Sequence, residues 1–279
     1  MSAPGGKLYI VGTPIGNLRD FSPRGCEILK SCDFIAAEDT RVTAKLLNYF
    51  EIHKPMISYH EHNRRASGES ILRRLLAGES CALVTDAGMP AISDPGEALV
   101  AACHAAGVAV ESVPGPVAFA TALALSGFPA GRFCFEGFLS VNRRSRHEHL
   151  QSLVGERRTM LFYEAPHKLP ATLRDFAAVF GDRPLAIVRE ITKLHEQVIR
   201  TTCAAAAIEY AEGGLKGEMV LVLAGEEASQ PPAELSPEQA VALAAQYYAQ
   251  GCTAAEAAKR AAKESGLRRA EIYAGLQAL

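Results

Sequence analysis

Several features that would mark a specialised class of protein are missing from this sequence. Among its 279 residues there is no tryptophan, only 7% are aromatic, and the net charge is −2. A balanced charge excludes the chain-wide basic character of many nucleic-acid-binding proteins, so any contact with RNA must be local. No apolar run approaches the roughly 18 residues of a membrane helix, and no signal peptide is recognisable. We therefore expect a soluble protein.

The seven cysteines form no pattern. Their number is odd and no two are spaced as C-x-x-C, which argues against a disulfide framework and against a zinc site. His60 and His62 flank a glutamate, but no third ligand with metal spacing stands nearby. The sequence predicts no metal and a reducing, cytoplasmic environment.

Short β-branched runs alternate with helical patterns over the first 113 residues, which is typical of a parallel α/β sheet. Ser22 before Pro23 is a helix N-cap followed by proline at the first helical position, and Gly78 and Gly107 are placed as helix ends. The predicted strands are 8–11, 34–37, 56–59, 82–85 and 108–113.

A second α/β region follows a rigid Pro-Gly-Pro turn at 114–116. Its strands are expected at 133–135, 160–163, 186–188, 197–200 and 219–223. Residues 226–237 have a linker composition rich in Glu, Ser, Gln and Pro. The predicted division is an N-terminal domain at 1–114, a second domain at 115–226, and a linker with a helical tail at 227–279.

The tail contains two capping boxes, at 236–239 and 253–256, and an alanine-rich interior, which predicts three short helices. A small packing or dimerisation bundle is one interpretation. Contact with RNA or DNA is the other. The residues that would make that contact are Lys259, Arg260, Lys263, Arg268 and Arg269.

Polar and glycine-rich segments follow each predicted strand of the first sheet. In open parallel sheets ligands bind at the carboxyl ends of strands, so these segments are expected to line one rim. Residues 86–96 are the most informative, because glycines and prolines let the backbone approach a ligand while Asp86, Ser93 and Asp94 offer acceptors. The first loop, 12–17, matches neither a dinucleotide-binding motif nor a P-loop. The five segments are 12–17, 38–41, 60–63, 86–96 and 114–116.

Eight ordered sequence blocks resemble the ribosomal RNA ribose methyltransferases of the tetrapyrrole methylase superfamily. The resemblance extends over nearly all of residues 7–279. The first loop differs from the G-x-G-P-G-D type of the cobalamin-pathway relatives, which points away from a tetrapyrrole substrate. The blocks are LYIVGTPIGNL (8–18), AAEDTR (36–41), SYHEHN (58–63), VTDAGMPAISDPG (84–96), VPGP (113–116), FYEAPHK (162–168), REITKLHE (189–196) and GEMVLVLAG (217–225).

The resemblance implies a two-domain class III methyltransferase fold, with a parallel sheet in the first domain and a mixed sheet in the second. It also implies a homodimer, and S-adenosylmethionine bound between the domains. The implied reaction is 2′-O-methylation of a cytidine ribose in the decoding region of small-subunit (16S) ribosomal RNA, either as free RNA or in the assembled subunit. By position in the family pattern, the expected cofactor contacts are Ile15, Asp86, Met89, Val117, Ala118 and Tyr163.

A ribose hydroxyl is a poor nucleophile at neutral pH, so the reaction calls for a general base. The candidates are Glu190 and Glu38, with His60 as an alternative, and the sequence does not rank them. Three cations are expected to steady the hydroxyl or a neighbouring phosphate: Lys193, Arg41 and Lys168.

Local basic stretches supply candidate RNA contacts, although each could also be an ordinary solvated helix face. Two other functions stay open. One is methylation of a small tetrapyrrole or a protein side chain, and the other is a non-enzymatic, nucleic-acid-binding sensor. The basic residues are Arg143, Arg144, Arg146, His147, His149, Arg157 and Arg158, with Arg64, Arg65, Arg73 and Arg74.

Overall fold

The computed structural model describes residues 6–226 and 235–278, and in these residues the chain forms ten β-strands and eleven α-helices. None of these helices has the length and apolar character needed to cross a membrane. The chain divides into two compact units, of which the first ends at Gly225 and the second begins at Glu226. The predicted linker falls mainly on residues 227–234, which lie outside the described residues, and the three-part domain division stays a prediction.

The first sheet is parallel throughout, as the alternating pattern predicted. All five predicted strands are present, with bounds shifted by one residue at most. The spatial order is β3-β2-β4-β1-β5, so the third strand in sequence lies at an edge. The strands are β1 (Lys7–Val11), β2 (Phe34–Ala37), β3 (Met56–Ser58), β4 (Cys81–Val84) and β5 (Ala109–Val113).

Four helices connect these strands, and their first turns follow from local hydrogen bonding. Ser22 caps the first helix by accepting a hydrogen bond from the Gly25 amide, and Pro23 is its first residue, as predicted. Asp39 caps the second helix through the Arg41 amide, which fixes the backbone directly after β2. The helices are α1 (Pro23–Ser31), α2 (Thr40–Tyr49), α3 (Arg64–Leu76) and α4 (Glu97–Ala105).

The second sheet is mixed, which confirms the sequence-based expectation. Its order is β6-β7-β10-β8-β9; the first pair is parallel and the other three pairs are antiparallel. Four helices accompany it: α5 (Ala118–Ser126), α6 (Arg143–Ser152), α7 (Leu169–Phe180) and α8 (Cys203–Glu209). The strands are β6 (Phe133–Phe138), β7 (Thr159–Glu164), β8 (Pro184–Arg189), β9 (Gln197–Thr202) and β10 (Met219–Leu223).

The smaller unit contains the three predicted helices, α9 (Pro237–Ala249), α10 (Ala254–Ser265) and α11 (Arg269–Gln277). Both predicted capping boxes are formed, Ser236 with Gln239 and Thr253 with Glu256. Small side chains allow close packing of the helices. The buried core of this unit consists of Ala240, Ala244, Ala258, Ala261 and Ile272.

Candidate functional site

A cavity of about 390 Å³ opens in the larger unit, where four strand ends of the first sheet meet residues of the second. The segments after β1, β2, β4 and β5 form one side, as expected for an open parallel sheet. The ends of β7 and β8 and the start of β10 form the other. Its volume lies within the range of about 300–1,000 Å³ that small-molecule sites occupy. Its lining includes Ile15, Glu38, Asp86, Met89, Asp94, Val117, Ala118, Phe138, Tyr163, Glu164, Glu190, Lys193 and Glu218.

Close backbone approach joins three of the loops at the cavity. Thr13 and Gly88 exchange backbone hydrogen bonds of 2.9 and 3.1 Å, which pair the loop after β1 with the loop after β4. A Cβ atom on Gly12 would lie 2.7 Å from both the Gly115 Cα and the Met89 Sδ. Only glycine leaves room for this contact, which explains the glycines that follow β1 and β5.

Carboxyl groups accumulate on the side of the cavity that the first sheet forms. The Asp86 amide donates to Glu38 Oε2 over 3.3 Å, which holds these two residues together. Burial raises the pKa of Glu38, and the charges of Asp94, Asp86 and Asp39 raise it further. Burial also raises the pKa values of Asp86 and Asp94. Carboxylates that repel one another in a partly buried site complement a cationic ligand.

Because burial, and then repulsion from Asp86, disfavour the ionised carboxyl of Asp94, we expect Asp94→Asn to raise the melting temperature of the ligand-free protein by about 1 to 3 °C at pH 8. A carboxyl whose pKa is raised on folding destabilises the fold once ionised, so stability is lost as the pH rises through its folded pKa. The gain should therefore shrink on acidification and vanish below about pH 3, where the carboxyl is protonated in both states. Thermal melts of Asp94→Asn and wild type between pH 8 and about pH 3 test this prediction, with a substitution at an exposed residue, Asp182→Asn, as control. An equal increase in melting temperature at every pH would contradict the explanation.

A lysine held by two glutamates lies on the side of the cavity that the second sheet forms. Lys193 Nζ lies 3.0 Å from Glu190 Oε1 and 3.1 Å from Glu218 Oε2. Burial lowers the pKa of Lys193, but these two hydrogen bonds outweigh it and leave the pKa raised. The hydrogen bond from Lys193 lowers the pKa of Glu190. Lys193 is therefore a fixed cation at neutral pH.

The backbone that presents Lys193 is strained. Glu190 and Thr192 have φ values of 52° and 67°, in the left-handed region that non-glycine residues rarely adopt. Gly217 lies so close that a Cβ there would overlap the Glu190 carboxylate, and a Cβ on Gly16 would lie 2.6 Å from the Lys193 Cγ. Strain of this kind persists where surrounding structure enforces it, and it is frequent at functional sites.

The structure brings most of the sequence-predicted site residues to this cavity. The roles assigned to them stay predictions, because their positions alone do not test them. Arg41, His60 and Lys168 are not part of the lining. The predicted residues that line the cavity are Ile15, Asp86, Met89, Val117, Ala118 and Tyr163 from the cofactor set, and Glu38, Glu190 and Lys193 from the catalytic set.

For each of the three remaining candidates, the structure shows where the side chain lies instead of lining the cavity. Arg41 is exposed and forms an ion pair with Asp39, its Nη2 2.6 Å from Oδ2. His60 follows the edge strand β3, one strand beyond Glu38, and its buried Nδ1 has no hydrogen-bond partner among the described residues. Lys168 Nζ lies 3.2 Å from Glu164 Oε1. In residues 6–226 and 235–278, no group of three potential ligands could hold a metal ion.

Glu164 is a buried carboxylate that the sequence analysis did not identify. Its side chain is 1% exposed; it accepts hydrogen bonds from the Ala165 amide and the Thr172 hydroxyl, and it forms an ion pair with the Lys168 ammonium. A buried carboxylate requires such compensation. The signal in the sequence was a lysine four residues after a glutamate, across the short turn that joins β7 to α7.

Ion pairs already occupy much of the predicted RNA-binding surface. Five of the nine arginines in these stretches pair with carboxylates. Arg144 is 88% exposed in its pair with Glu148, so exchange for a phosphate would cost little. Arg146 is different, because its side chain is only 11% exposed and pairs with Asp175. Arg146 therefore stabilises the contact between α6 and α7 and is a poor candidate for binding RNA.

The fold and the cavity together define a class of methyltransferase. Residues 7–207 match the family described as Tetrapyrrole (Corrin/Porphyrin) Methylases, and the chain belongs to this family. It is 47% identical to a ribosomal RNA small subunit methyltransferase I from Synechocystis sp., over 96% of each chain. It is 44% identical to a protein of the same name from Xylella fastidiosa (strain Temecula1), over 99% of this chain and 100% of the relative.

A solved structure supports the same fold. The crystal structure of uroporphyrin-III-C-methyltransferase from Thermus thermophilus superposes with a TM-score of 0.56 at 18% identity, covering 78% of this chain and 94% of that one. Methyltransferases of this family use S-adenosylmethionine, and this chain is an S-adenosylmethionine-dependent methyltransferase. The cavity fits that cofactor chemically: its carboxylates complement a sulfonium cation, and its apolar residues can enclose an adenine ring.

Proposed function

We propose that this protein methylates the ribose 2′-oxygen of a cytidine in small-subunit ribosomal RNA, with S-adenosylmethionine as methyl donor. The observation that carries the proposal is similarity over nearly the whole chain to relatives named ribosomal RNA small subunit methyltransferase I. The cavity supports it, because carboxylates and a fixed lysine line one space with apolar residues between them.

Alignment of the two reactants is the main task of the site. S-adenosylmethionine supplies a methyl group on a sulfonium, and the attacking oxygen must lie in line with it. Correct positioning can contribute on the order of 7 to 11 kcal/mol to such a reaction. Lys193, held between Glu190 and Glu218, is suited to bind a phosphate or hydroxyl of the substrate nucleotide. The rigid, strained loop around it reduces the cost of ordering this cation.

Of the candidate bases, we assign proton removal to Glu38. The two cavity glutamates have pKa values moved in opposite directions, Glu38 upward through burial and Glu190 downward through Lys193. A carboxylate with a raised pKa is the better proton acceptor, while one paired with lysine is better suited to positioning. Glu190 is therefore assigned to hold Lys193. His60 is the weakest candidate because it does not line the cavity.

We further infer a cytoplasmic homodimer. An edge strand that exposes apolar residues is a natural surface for self-association. Leu194, three residues before the start of β9, is 93% exposed, and Val198 on that strand is 37% exposed. The seven cysteines are all free thiols, which suits a reducing compartment.

The substrate class is tested by offering labelled S-adenosylmethionine and three acceptors: small ribosomal subunits from a strain that lacks this protein, a reduced tetrapyrrole, and a total protein extract. We expect label in the subunits alone. Label in the tetrapyrrole or in protein would favour the competing enzymatic function. Tight cofactor binding with no methyl transfer to any acceptor would favour the other alternative, a non-enzymatic, nucleic-acid-binding sensor.

A further inference from the structure

The edge strand β6 contains a bulge at its end. Phe135 pairs with Leu161 of β7, and the next pair is Gly137 with Phe162, so Glu136 is an extra residue without a partner. Gly137 has φ of 66°, and a Cβ there would meet nothing within 4 Å. The bulge therefore depends on the left-handed backbone conformation of Gly137, and not on a lack of space for a side chain at this position.

The bulge moves Phe138 from one face of the sheet to the other. Side chains alternate along a strand, so Phe138 would ordinarily share a face with Cys134, which packs against the core cluster that contains Phe162. Because of the extra residue, Phe138 instead pairs with Tyr163 and lies on the face of the cavity. A large apolar side chain is thus directed out of a core face and into an open site.

Phe138 is left unusually exposed in this position. It is 59% exposed, although its ring lies 5.2 Å from the ring of Tyr163 and Lys168 Nζ lies 5.2 Å from its centroid. The buried Glu164 carboxylate holds Lys168 there. By contrast, the apolar residues that we expect to contact the cofactor are partly buried. Apolar surface is stabilised by removal from water, so a ligand that covers the exposed part of the ring would be favoured here.

We propose that Phe138 is the stacking platform for the base of the nucleotide that is methylated. This inference rests on the proposed function. A nucleotide of folded RNA must leave its stack to place its ribose in a cavity, and proteins stabilise such bases by stacking them on aromatic rings. Lys168 beside the ring is placed to contact the backbone of the same nucleotide. The side of the cavity that contains Asp86 and Asp94 remains for the cofactor.

Substitutions at Phe138 separate the effect of base stacking from the effect of side-chain volume. Removing an aromatic platform costs about 1–3 kcal/mol per stacked base, so we expect Phe138→Ala and Phe138→Leu to lower kcat/KM for small subunits by about 5- to 150-fold. Phe138→Trp, which restores a π face, should stay within about threefold of wild type. The Kd for S-adenosylmethionine, measured by calorimetry without RNA, should not change in any of the three variants.

Phe133→Leu is the matched control, since Phe133 is on the same strand, is 41% exposed and does not line the cavity. It should keep wild-type kcat/KM. Two results would overturn the proposal: full activity of Phe138→Leu, or a weaker cofactor Kd that accounts for the whole loss, which would make Phe138 a wall of the cofactor site. The wild-type protein tests the proposed function separately. If it transfers no methyl group to small subunits, both the proposed function and the role of Phe138 are wrong.

Discussion

Replacement of Glu38 by glutamine should lower kcat for methyl transfer to small subunits by about 10²- to 10⁴-fold, the range that general-base catalysis contributes. The change keeps the size of the side chain and its ability to accept the hydrogen bond from the Asp86 amide. It removes the proton acceptor that burial makes more basic. Single-turnover kinetics at saturating cofactor measure this loss without interference from product release.

The same experiment on Glu190 distinguishes the two assignments. Glu190→Gln should leave Lys193 paired with Glu218, so a smaller loss is expected, mainly as a higher KM. Glu61→Gln is the matched control, because Glu61 is exposed in the loop after the neighbouring strand β3 and does not line the cavity. A larger loss of kcat in Glu190→Gln than in Glu38→Gln would exchange the roles of the two glutamates.

Gly12→Ala should weaken cofactor binding, with at least a tenfold increase in Kd, equivalent to about 1.4 kcal/mol. The added methyl would lie 2.7 Å from the backbone of Gly115 and from Met89 Sδ, so the loops after β1, β4 and β5 would have to separate. Core overpacking of this kind also costs about 1–3 kcal/mol of stability. Calorimetric titration with S-adenosylmethionine and a thermal melt measure the two effects.

Gly131→Ala provides the comparison, because a Cβ on Gly131 would meet nothing within 4 Å. It should leave both the cofactor Kd and the melting temperature near their wild-type values. Unchanged cofactor binding in Gly12→Ala would mean that the close approach of these loops does not shape the cofactor site.

Local sequence was sufficient to predict the strands and the loops of the first sheet. All ten strands were expected from short β-branched runs, and Glu38 and Asp86 were identified because each follows a strand. Chain order does not reveal spatial order, however. β3 lies at the edge of the sheet, and therefore His60, which also follows a strand, does not reach the cavity.

Long-range pairing and local backbone geometry account for what the sequence left unpredicted. Glu218 approaches Lys193 because β10 lies beside β8, a contact between residues far apart in the chain. The sequence-predicted strand at 133–135 stops before the bulge and so omitted Phe138. The isolated glycine at 137 was the available signal, since glycine inside a strand often marks a bulge.

The position of the transferred methyl group is the most direct test of the central claim. Small subunits from a strain lacking this protein would be incubated with the wild-type protein and labelled S-adenosylmethionine, and the RNA digested to nucleosides for mass spectrometry. We predict label in a single 2′-O-methylated cytidine, absent when the Glu38→Gln variant is used. Label on a base, on another nucleoside or only on protein would contradict the assignment of this cavity to ribose methylation.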